Sequence, residues 1–256
     1  MVKSVRKLLV GPLSSFLIMA AIIGVAPAGL SLGVKTAAAQ QAGQTPSGAA
    51  LVAALQRGGY VILFRHAKTD MSQNDVQPPD LANCQAQRNL DDSGRAQARA
   101  IGNAFQSLPI PVGQVVSSRF CRALDTAGLI AGPATPSDDL IEIVTPTDNN
   151  GNPRTPTPDT EAQRRTAILK QLLATRPATG TNTILVSHGS NIMSATSLMF
   201  QEGDAGVFLP GGDGTFTLVA RVGAAEWSML AQPRPRSLPN TGDGSCAPDG
   251  EETPCP

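Results

Sequence analysis

Residues 60–66 read YVILFRH, and residues 183–189 read TILVSHG. Both runs are short, apolar and rich in β-branched or aromatic residues, which is typical of buried strands in a parallel sheet. Each run contains a histidine at its carboxyl end, and His66 and His188 are the only two histidines of the chain. Ligands bind just beyond the carboxyl ends of the strands in open α/β sheets, so we expect both imidazoles at the functional edge.

The segments between and around these runs alternate between strand and helix patterns. A further apolar run contains Val115 and Val116. Helical spacing of apolar residues is present in segments 93–107, 120–131, 159–175 and 190–201. Residues 205–210 and 215–221 flank a glycine-rich turn, which is typical of a β-hairpin. This alternation predicts an α/β domain with a mainly parallel sheet.

A third polar group follows the run that contains Val115. Residues 117–122 read SSRFCR, so Arg122 lies at the start of the helix predicted next. An arginine at this place can present its planar guanidinium to phosphate oxygens, beside the free N–H groups of the helix end. Together with Arg65, which precedes His66, this arrangement predicts an anion-binding site.

Four segments of the chain resemble the histidine phosphatase superfamily, and they occur in the family's order. RHA at 65–67 is similar to the RHG signature, with alanine in place of glycine. Residues 90–98, LDDSGRAQA, resemble the helix entry L-T-x-x-G-x-x-Q-A. Residues 117–127, SSRFCRALDTA, resemble the segment S-S-x-x-x-R-A-x-x-T-A, and SHG at 187–189 matches the second histidine. The resemblance implies a phosphoglycerate mutase-like fold of branch 1, with three layers, α/β/α.

The resemblance also implies a phosphatase that works through a phosphohistidine. His66 would attack phosphorus in line, and water would then hydrolyse the phosphohistidine. Arg65, Arg122 and His188 would hold the phosphoryl oxygens, because positioning and charge stabilisation account for most of phosphoryl-transfer catalysis. Thr69 is a further candidate ligand of the phosphate. The mechanism requires no metal and no cofactor, and the sequence lacks the GxxxxGK(S/T) phosphate loop of NTPases.

The departing alkoxide needs a proton donor, and several carboxylates are candidates. Residues 140–142, LIE, resemble the L-x-E setting of a glutamate in the mutase-like branch, which makes Glu142 the first choice. The phytase-like branch instead places an acid directly after the second histidine, where this chain has Gly189. Three other candidates stay open: Asp70, Glu202 and Asp204.

The two ends of the chain differ in composition from the part between them. Residues 1–39 combine a basic start, an apolar stretch and three alanines, which predicts a signal peptide and a periplasmic or secreted protein. An uncleaved membrane anchor is the alternative, whereas cleavage would leave no stable membrane span. We predict a flexible leader at 40–48, the histidine phosphatase domain at 49–231 and a disordered Pro/Gly-rich tail at 232–256.

Four cysteines follow the predicted signal, and an oxidising compartment favours their pairing. They allow three pairings. Proximity favours Cys246–Cys255, which leaves Cys84–Cys121 near the predicted site. A zinc site is the rival interpretation, but the sequence has no close CxxC pair and no histidine near these cysteines.

Charge limits the class of partner. The formal net charge is zero, and no basic cluster is present outside the predicted signal. The sequence therefore predicts no nucleic-acid partner and favours a phosphorylated small molecule.

These patterns predict a metal-independent phosphomonoester phosphatase that acts outside the cytoplasm on a small-molecule or envelope-sugar phosphate. A phosphoglycerate mutase is one alternative, in which the phosphoryl group returns to product, although export argues against it. A non-catalytic module that binds a phosphorylated ligand in the same pocket is another. The variable loops at 70–90 and 133–158 carry no readable code for the substrate.

Overall fold

The computed structural model describes residues 48–143 and 160–232, in which a six-stranded sheet lies between two layers of helices. The helices are α1 Gly48–Arg57, α2 Asp92–Ser107, α3 Cys121–Ala131, α4 Thr160–Ala174, α5 Gly189–Thr196 and α6 Glu226–Leu230. The strands are β1 Val61–Arg65, β2 Val112–Ser118, β3 Thr135–Ser137, β4 Asn182–Ser187, β5 Ala205–Pro210 and β6 Phe216–Val222.

The sheet is mixed and has the strand order β3-β2-β4-β1-β5-β6. The first four strands of this order are mutually parallel. Strand β5 runs antiparallel to β1, and β6 runs antiparallel to β5. The predicted α/β fold with a mainly parallel sheet is therefore confirmed. Strands β1 and β4 are neighbours, with Arg65 opposite Ser187, so the chain leaves both strands at one edge of the sheet. His66 and His188 are the next residues on the two strands.

Apolar side chains fill both faces of the sheet, because successive residues of a strand point to opposite faces. Ile62 and Phe64 of β1 pack with residues of α1, α2, α3 and α6, whereas Val61 and Leu63 pack with residues of α4 and α5. Trp227 is fully buried, and its ring lies 4.8 Å from Phe105. It therefore belongs to the core.

Some boundaries differ from those predicted. The helix predicted at 190–201 ends at Thr196, because Ser197 takes a left-handed conformation with φ of 60°. Gly48, predicted as part of the leader, begins α1, which was not predicted as a helix and buries Leu51 and Leu55. The predicted hairpin is confirmed, since Gly211 N donates to the carbonyl oxygen of Thr215 at 2.8 Å between β5 and β6.

Several predictions concern residues outside the two described ranges: the signal peptide, the leader before Gly48, the Cys246–Cys255 pair and the tail beyond Gln232. Among the described helices, none has the length and apolarity needed to cross a membrane.

Helix α2 packs directly against the loop that follows His66. Gly94 lies so close to Lys68 that a Cβ atom at position 94 would clash with the Lys68 carbonyl oxygen. Gln97 Oε1 accepts a hydrogen bond from Lys68 N at 3.2 Å, and Gln97 Nε2 donates to the carbonyl oxygen of Glu202 at 3.1 Å. The LDDSGRAQA segment thus holds two loops at the carboxyl edge of the sheet.

Candidate active site

The two histidines lie side by side, with ring centroids 5.3 Å apart. Both are buried, and burial is the largest cause that lowers the pKa of His66 from 6.5 to about 3. Burial likewise holds the pKa of His188 well below its ordinary value, and the nearby His66 and the positive charge of Arg122 and Arg65 lower it further. Both imidazoles are therefore neutral at physiological pH.

Hydrogen bonds orient each ring. His66 Nδ1 lies 2.9 Å from the carbonyl oxygen of Ala67, so this nitrogen carries the proton and donates, and Nε2 keeps its lone pair. His188 Nε2 lies 2.8 Å from Ser118 Oγ at the end of β2. An imidazole with a free Nε2 lone pair and a fixed orientation is suited to nucleophilic attack.

Arg122 is completely buried in the first turn of α3. Its Nη1 donates to both carboxylate oxygens of Asp75 at 2.9 and 3.1 Å, and its Nη2 donates to Glu142 Oε2 at 2.7 Å. The guanidinium carbon also lies 4.0 Å from the centre of the Phe120 ring, a cation–π contact. Two carboxylates and one ring therefore hold this cation in a single orientation.

Arg65 is held by the segment that follows α5. Its Nη1 donates to the carbonyl oxygen of Phe200 at 2.9 Å, and its Nη2 lies 3.7 Å from Glu202 Oε1. A Cβ atom at Gly189 would lie 3.5 Å from Arg65 Nε, an ordinary van der Waals distance, so the two residues are neighbours. The second arginine thus lies beside the start of α5, next to His188.

Three buried nitrogens of this cluster have no hydrogen-bond partner among the described residues: Arg65 Nε, Arg122 Nε and His188 Nδ1. Buried polar groups in proteins are normally paired, so unpaired ones need an explanation. A phosphate group offers several acceptor oxygens. Arg65, Arg122 and His188, which the sequence predicts as phosphate ligands, thus each keep a nitrogen without a hydrogen-bond partner.

Glu142 lies in this cluster, with Oε2 3.9 Å from His188 Nδ1. This contact is not an ion pair, because His188 is neutral. Asn191 fixes the backbone on both sides of the glutamate: its Nδ2 donates to the carbonyl oxygen of Ile141 at 2.9 Å, and Ile143 N donates to its Oδ1 at 3.1 Å. The structure therefore brings the first-choice proton donor next to the predicted phosphate ligands.

Glu202 lies beside the other ring nitrogen of His66. Its Oε1 lies 3.9 Å from His66 Nδ1 and accepts a hydrogen bond from Thr69 Oγ1 at 2.9 Å. Nδ1 is the ring nitrogen that donates to Ala67, so this carboxylate lies beside the nitrogen that has no free lone pair. The hydroxyl group of Thr69, a predicted phosphate ligand, is thus engaged in a hydrogen bond to Glu202 in this structure.

The side chains of the two remaining candidates for the proton donor form hydrogen bonds to nearby residues of their own loops. Asp70 Oδ1 accepts hydrogen bonds from Ser72 N and Ser72 Oγ at 2.9 and 2.7 Å, and these bonds lower the pKa of Asp70. Asp204 Oδ2 accepts from Gln201 N at 2.9 Å. In the described part of the chain, no hydrogen bond or ion pair joins either carboxylate to His66 or His188.

Three residues of the cluster were not predicted: Asp75, Ser118 and Asn191. Asp75 lies in a polar, proline-containing loop where nothing in the sequence marks it. Ser118 is part of the SSRFCRALDTA segment, and Asn191 follows His188 by three residues in the first turn of α5, so both carried a signal.

A disulfide joins Cys84 to Cys121, which lies 37 positions further along the chain. This bond ties the loop that carries Asp75 to the start of α3, directly before Arg122. The predicted pairing of these two cysteines is confirmed. Within the described ranges, no group of three His, Cys, Asp or Glu side chains is placed to hold a metal ion.

Residues 61–147 match the family model of the histidine phosphatase superfamily, branch 1. This segment contains Arg65, His66, Arg122 and Glu142, and the fold brings His188, which lies outside the segment, against His66. The similarity to the histidine phosphatase superfamily is therefore shown for residues 61–147. The prediction of this family, and of a phosphatase as the enzyme class, is confirmed.

Solved structures of other histidine phosphatases are similar to this one in outline. The protein histidine phosphatase SixA in complex with tungstate is 16% identical, with a TM-score of 0.44 over 65% of this chain and 98% of that one. A mycobacterial glucosyl-3-phosphoglycerate phosphatase is 17% identical, with a TM-score of 0.44 over 63% and 97%. Phosphoserine phosphatase from Entamoeba histolytica is 18% identical, with a TM-score of 0.46 over 63% and 95%. No curated protein sequence matches this chain. The family assignment rests on the matched segment.

Proposed function

We propose that this protein is a phosphomonoester phosphatase that works without a metal ion through a phosphohistidine at His66. One observation carries the proposal: a buried, neutral imidazole whose Nδ1–H is bonded to Ala67 lies beside two arginines that each keep an unpaired buried nitrogen. Such a site combines a nucleophile with cations that receive an anion. It supplies the attacking atom and the positive charge for phosphoryl transfer, and the leaving oxygen still needs a proton donor.

The reaction proceeds in two displacements. His66 Nε2 attacks phosphorus in line and forms the phosphorus–nitrogen bond as the ester oxygen leaves, and water then attacks the phosphohistidine and releases phosphate. Arg65, Arg122 and His188 bind the equatorial oxygens, where charge is spread in the transition state. The two guanidinium groups are held by hydrogen bonds before substrate arrives, so little reorganisation is required.

Glu142 donates the proton that the leaving oxygen needs. It contacts Arg122, a predicted phosphate ligand, whereas Glu202 contacts the ring nitrogen of His66 that does not attack. In the second step the same carboxylate accepts a proton from the attacking water.

The place of action in this proposal is outside the cytoplasm, and the substrate is a small-molecule or envelope-sugar phosphate. The signal-like composition of residues 1–39 supports export, and the Cys84–Cys121 disulfide is compatible with an oxidising compartment.

Hydrolysis of 4-nitrophenyl phosphate in the presence of EDTA tests the function. We expect turnover by the wild-type protein, a phosphoenzyme after acid quenching with labelled substrate, and neither signal from His66→Ala. Asp70→Asn is the matched control and retains both signals, since Asp70 bonds only within its loop. Full turnover by His66→Ala contradicts the proposal.

The same assay separates the alternatives. A mutase returns an isomerised phosphoester instead of inorganic phosphate, and phosphate release distinguishes the two. Tight binding of inorganic phosphate without turnover of any ester in a broad panel supports the non-catalytic module.

A further inference from the structure

A cavity of about 410 Å³ adjoins the cluster of histidines and arginines. Its volume lies in the range of small-molecule sites, which is about 300–1,000 Å³. Six apolar residues line it: Pro79, Leu81, Phe120, Ile141, Ile143 and Ala162. Its polar lining consists of Gln77, Glu142 and Arg165.

Two residues that line the cavity also contact the cluster of histidines and arginines. The Phe120 ring lies under the Arg122 guanidinium and 5.2 Å from the His188 ring. Glu142 lines the cavity and bonds to Arg122 Nη2 at 2.7 Å. The cavity therefore adjoins the cluster of histidines and arginines directly, and the proposed proton donor, Glu142, lies between the two.

The charged groups at the cavity already have partners. Glu142 is bound to Arg122, while Arg165 Nε lies 3.0 Å from Glu161 and Arg165 Nη1 donates to the Glu142 carbonyl oxygen at 3.4 Å. A ligand with many hydroxyl groups would lose hydrogen bonds to water here, at a cost that the apolar lining does not offset. An apolar ligand loses no hydrogen bonds and gains burial.

We propose that this cavity binds the leaving group of the substrate, and that the substrate is a phosphomonoester with an apolar, aryl or branched alkyl leaving group. The inference rests on the proposed function and, of the two substrate classes named there, selects a small-molecule phosphate over an envelope-sugar phosphate. With phosphate at Arg65 and Arg122, the bridging ester oxygen lies at the border of the two sites, next to Glu142. The organic group then continues between Leu81, Phe120 and Ile143.

Binding of phosphonates, which the enzyme cannot hydrolyse, tests the cavity without reference to turnover. Isothermal titration of the wild-type protein compares phenylphosphonate, methylphosphonate, a polyhydroxyalkyl phosphonate and inorganic phosphate. We expect phenylphosphonate to bind at least about tenfold more tightly than the other two phosphonates, the factor typical of an added apolar group in an apolar pocket. Equal affinity for the three phosphonates would overturn the inference.

Two lining variants locate the effect. Leu81→Asn and Ile143→Asn are expected to lose the preference for phenylphosphonate and to keep the wild-type affinity for inorganic phosphate. Leu209→Asn, an exposed position of β5 away from the cavity, is the matched control and keeps both affinities. Leu81→Ala and Ile143→Ala serve if a polar variant does not fold, and they should weaken phenylphosphonate alone. An unchanged preference in the folded variants would also overturn the inference.

Turnover separates this inference from the proposed function. If aryl and sugar phosphates are hydrolysed with equal kcat/KM and the lining variants change neither, the phosphatase stands and the apolar cavity assignment fails. If phenylphosphonate is preferred but no ester is hydrolysed, the cavity assignment stands and the proposed function fails.

Discussion

The side-chain amide of Asn191 bonds to the peptide groups on both sides of Glu142. Its Nδ2 donates to the Ile141 carbonyl oxygen, and its Oδ1 accepts from Ile143 N. Asn191 lies in the first turn of α5, three residues after His188. A single helix start therefore orients both the second histidine and the carboxylate that we propose as the proton donor.

Asn191→Ala should impair catalysis through Glu142. We expect kcat for an alkyl phosphate to fall by about tenfold to a hundredfold, because a small displacement of a reacting group has effects of this size. The free energy of unfolding should fall by about 1–3 kcal/mol, since the variant leaves peptide groups unpaired. Steady-state kinetics and urea unfolding measure the two effects. A proportional loss for alkyl and 4-nitrophenyl phosphate would contradict positioning of the acid.

Glu142→Gln should slow the hydrolysis of esters with poor leaving groups most. General acid catalysis contributes about 10²–10⁴-fold, and a nitrophenolate leaves without its help. We therefore expect a loss of at least about a hundredfold for alkyl phosphates and a much smaller loss for 4-nitrophenyl phosphate. Kinetics across a series of leaving groups measures this.

Glu202→Gln and Asp70→Asn are the comparison variants. Their activity should not depend more steeply on the leaving group than that of the wild-type protein, because neither side chain borders the proposed leaving-group cavity. A selective loss on poor leaving groups in Glu202→Gln would assign the acid to Glu202 instead.

Neither histidine should titrate in the ordinary range of pH. Burial lowers the pKa of His66 to about 3 and that of His188 well below 6.5. The chain has no other histidine, so the ring signals in an NMR spectrum of untagged, ligand-free protein report only this site. We expect their chemical shifts to stay constant from pH 8 to pH 5. A midpoint near 6.5 for either ring would contradict the burial of the pair.

The same shifts set the sign of the pH dependence of stability. The unfolded chain binds a proton at each histidine near pH 6.5, whereas the folded protein does so only near pH 3 at His66. The contribution to stability is therefore complete above pH 6.5 and is lost as the pH falls towards 3. Urea unfolding at pH 7 and pH 5 should show the decrease.

Removal of the Cys84–Cys121 disulfide should lower both stability and activity. We expect Cys84→Ser with Cys121→Ser to lower the free energy of unfolding by about 2–4 kcal/mol, as for a typical disulfide. Activity should fall because the loop that carries Asp75 is no longer tied to the start of α3, beside Arg122. Cys246→Ser with Cys255→Ser is the matched control, and its activity should equal that of the wild-type protein.

Two glycine-to-alanine changes should have opposite effects. Gly94→Ala forces a Cβ atom against the Lys68 carbonyl oxygen, so we expect a loss of at least about 1–3 kcal/mol in the free energy of unfolding. Gly128 lies in α3, and a Cβ atom there meets nothing within 4 Å. Gly128→Ala should therefore raise stability by about 0.4–1 kcal/mol. Equal destabilisation by both changes would contradict the close packing of α2 against the loop after His66.

The sequence by itself determined the α/β class and the positions of both histidines. Short apolar runs indicate parallel strands, and the carboxyl ends of parallel strands lie at one edge of the sheet. His66 and His188 were therefore predictable as neighbours. Arg122 followed from its place at the start of a helix in a family-like segment. These inferences use local patterns and one rule of topology.

Only the tertiary structure decided which carboxylates join the histidines. Asp75 and Arg122 are 47 residues apart, as Asn191 and Ile143 are 48 apart. Loop side chains follow no hydrophobic period, so the sequence offered four carboxylates for the proton donor without a physical ground to place them in space. In the folded protein Glu142 bonds to Arg122, and Glu202 lies beside Nδ1 of His66. The packing of the helices and strands decides both contacts, because it fixes where the loops that carry the two carboxylates lie.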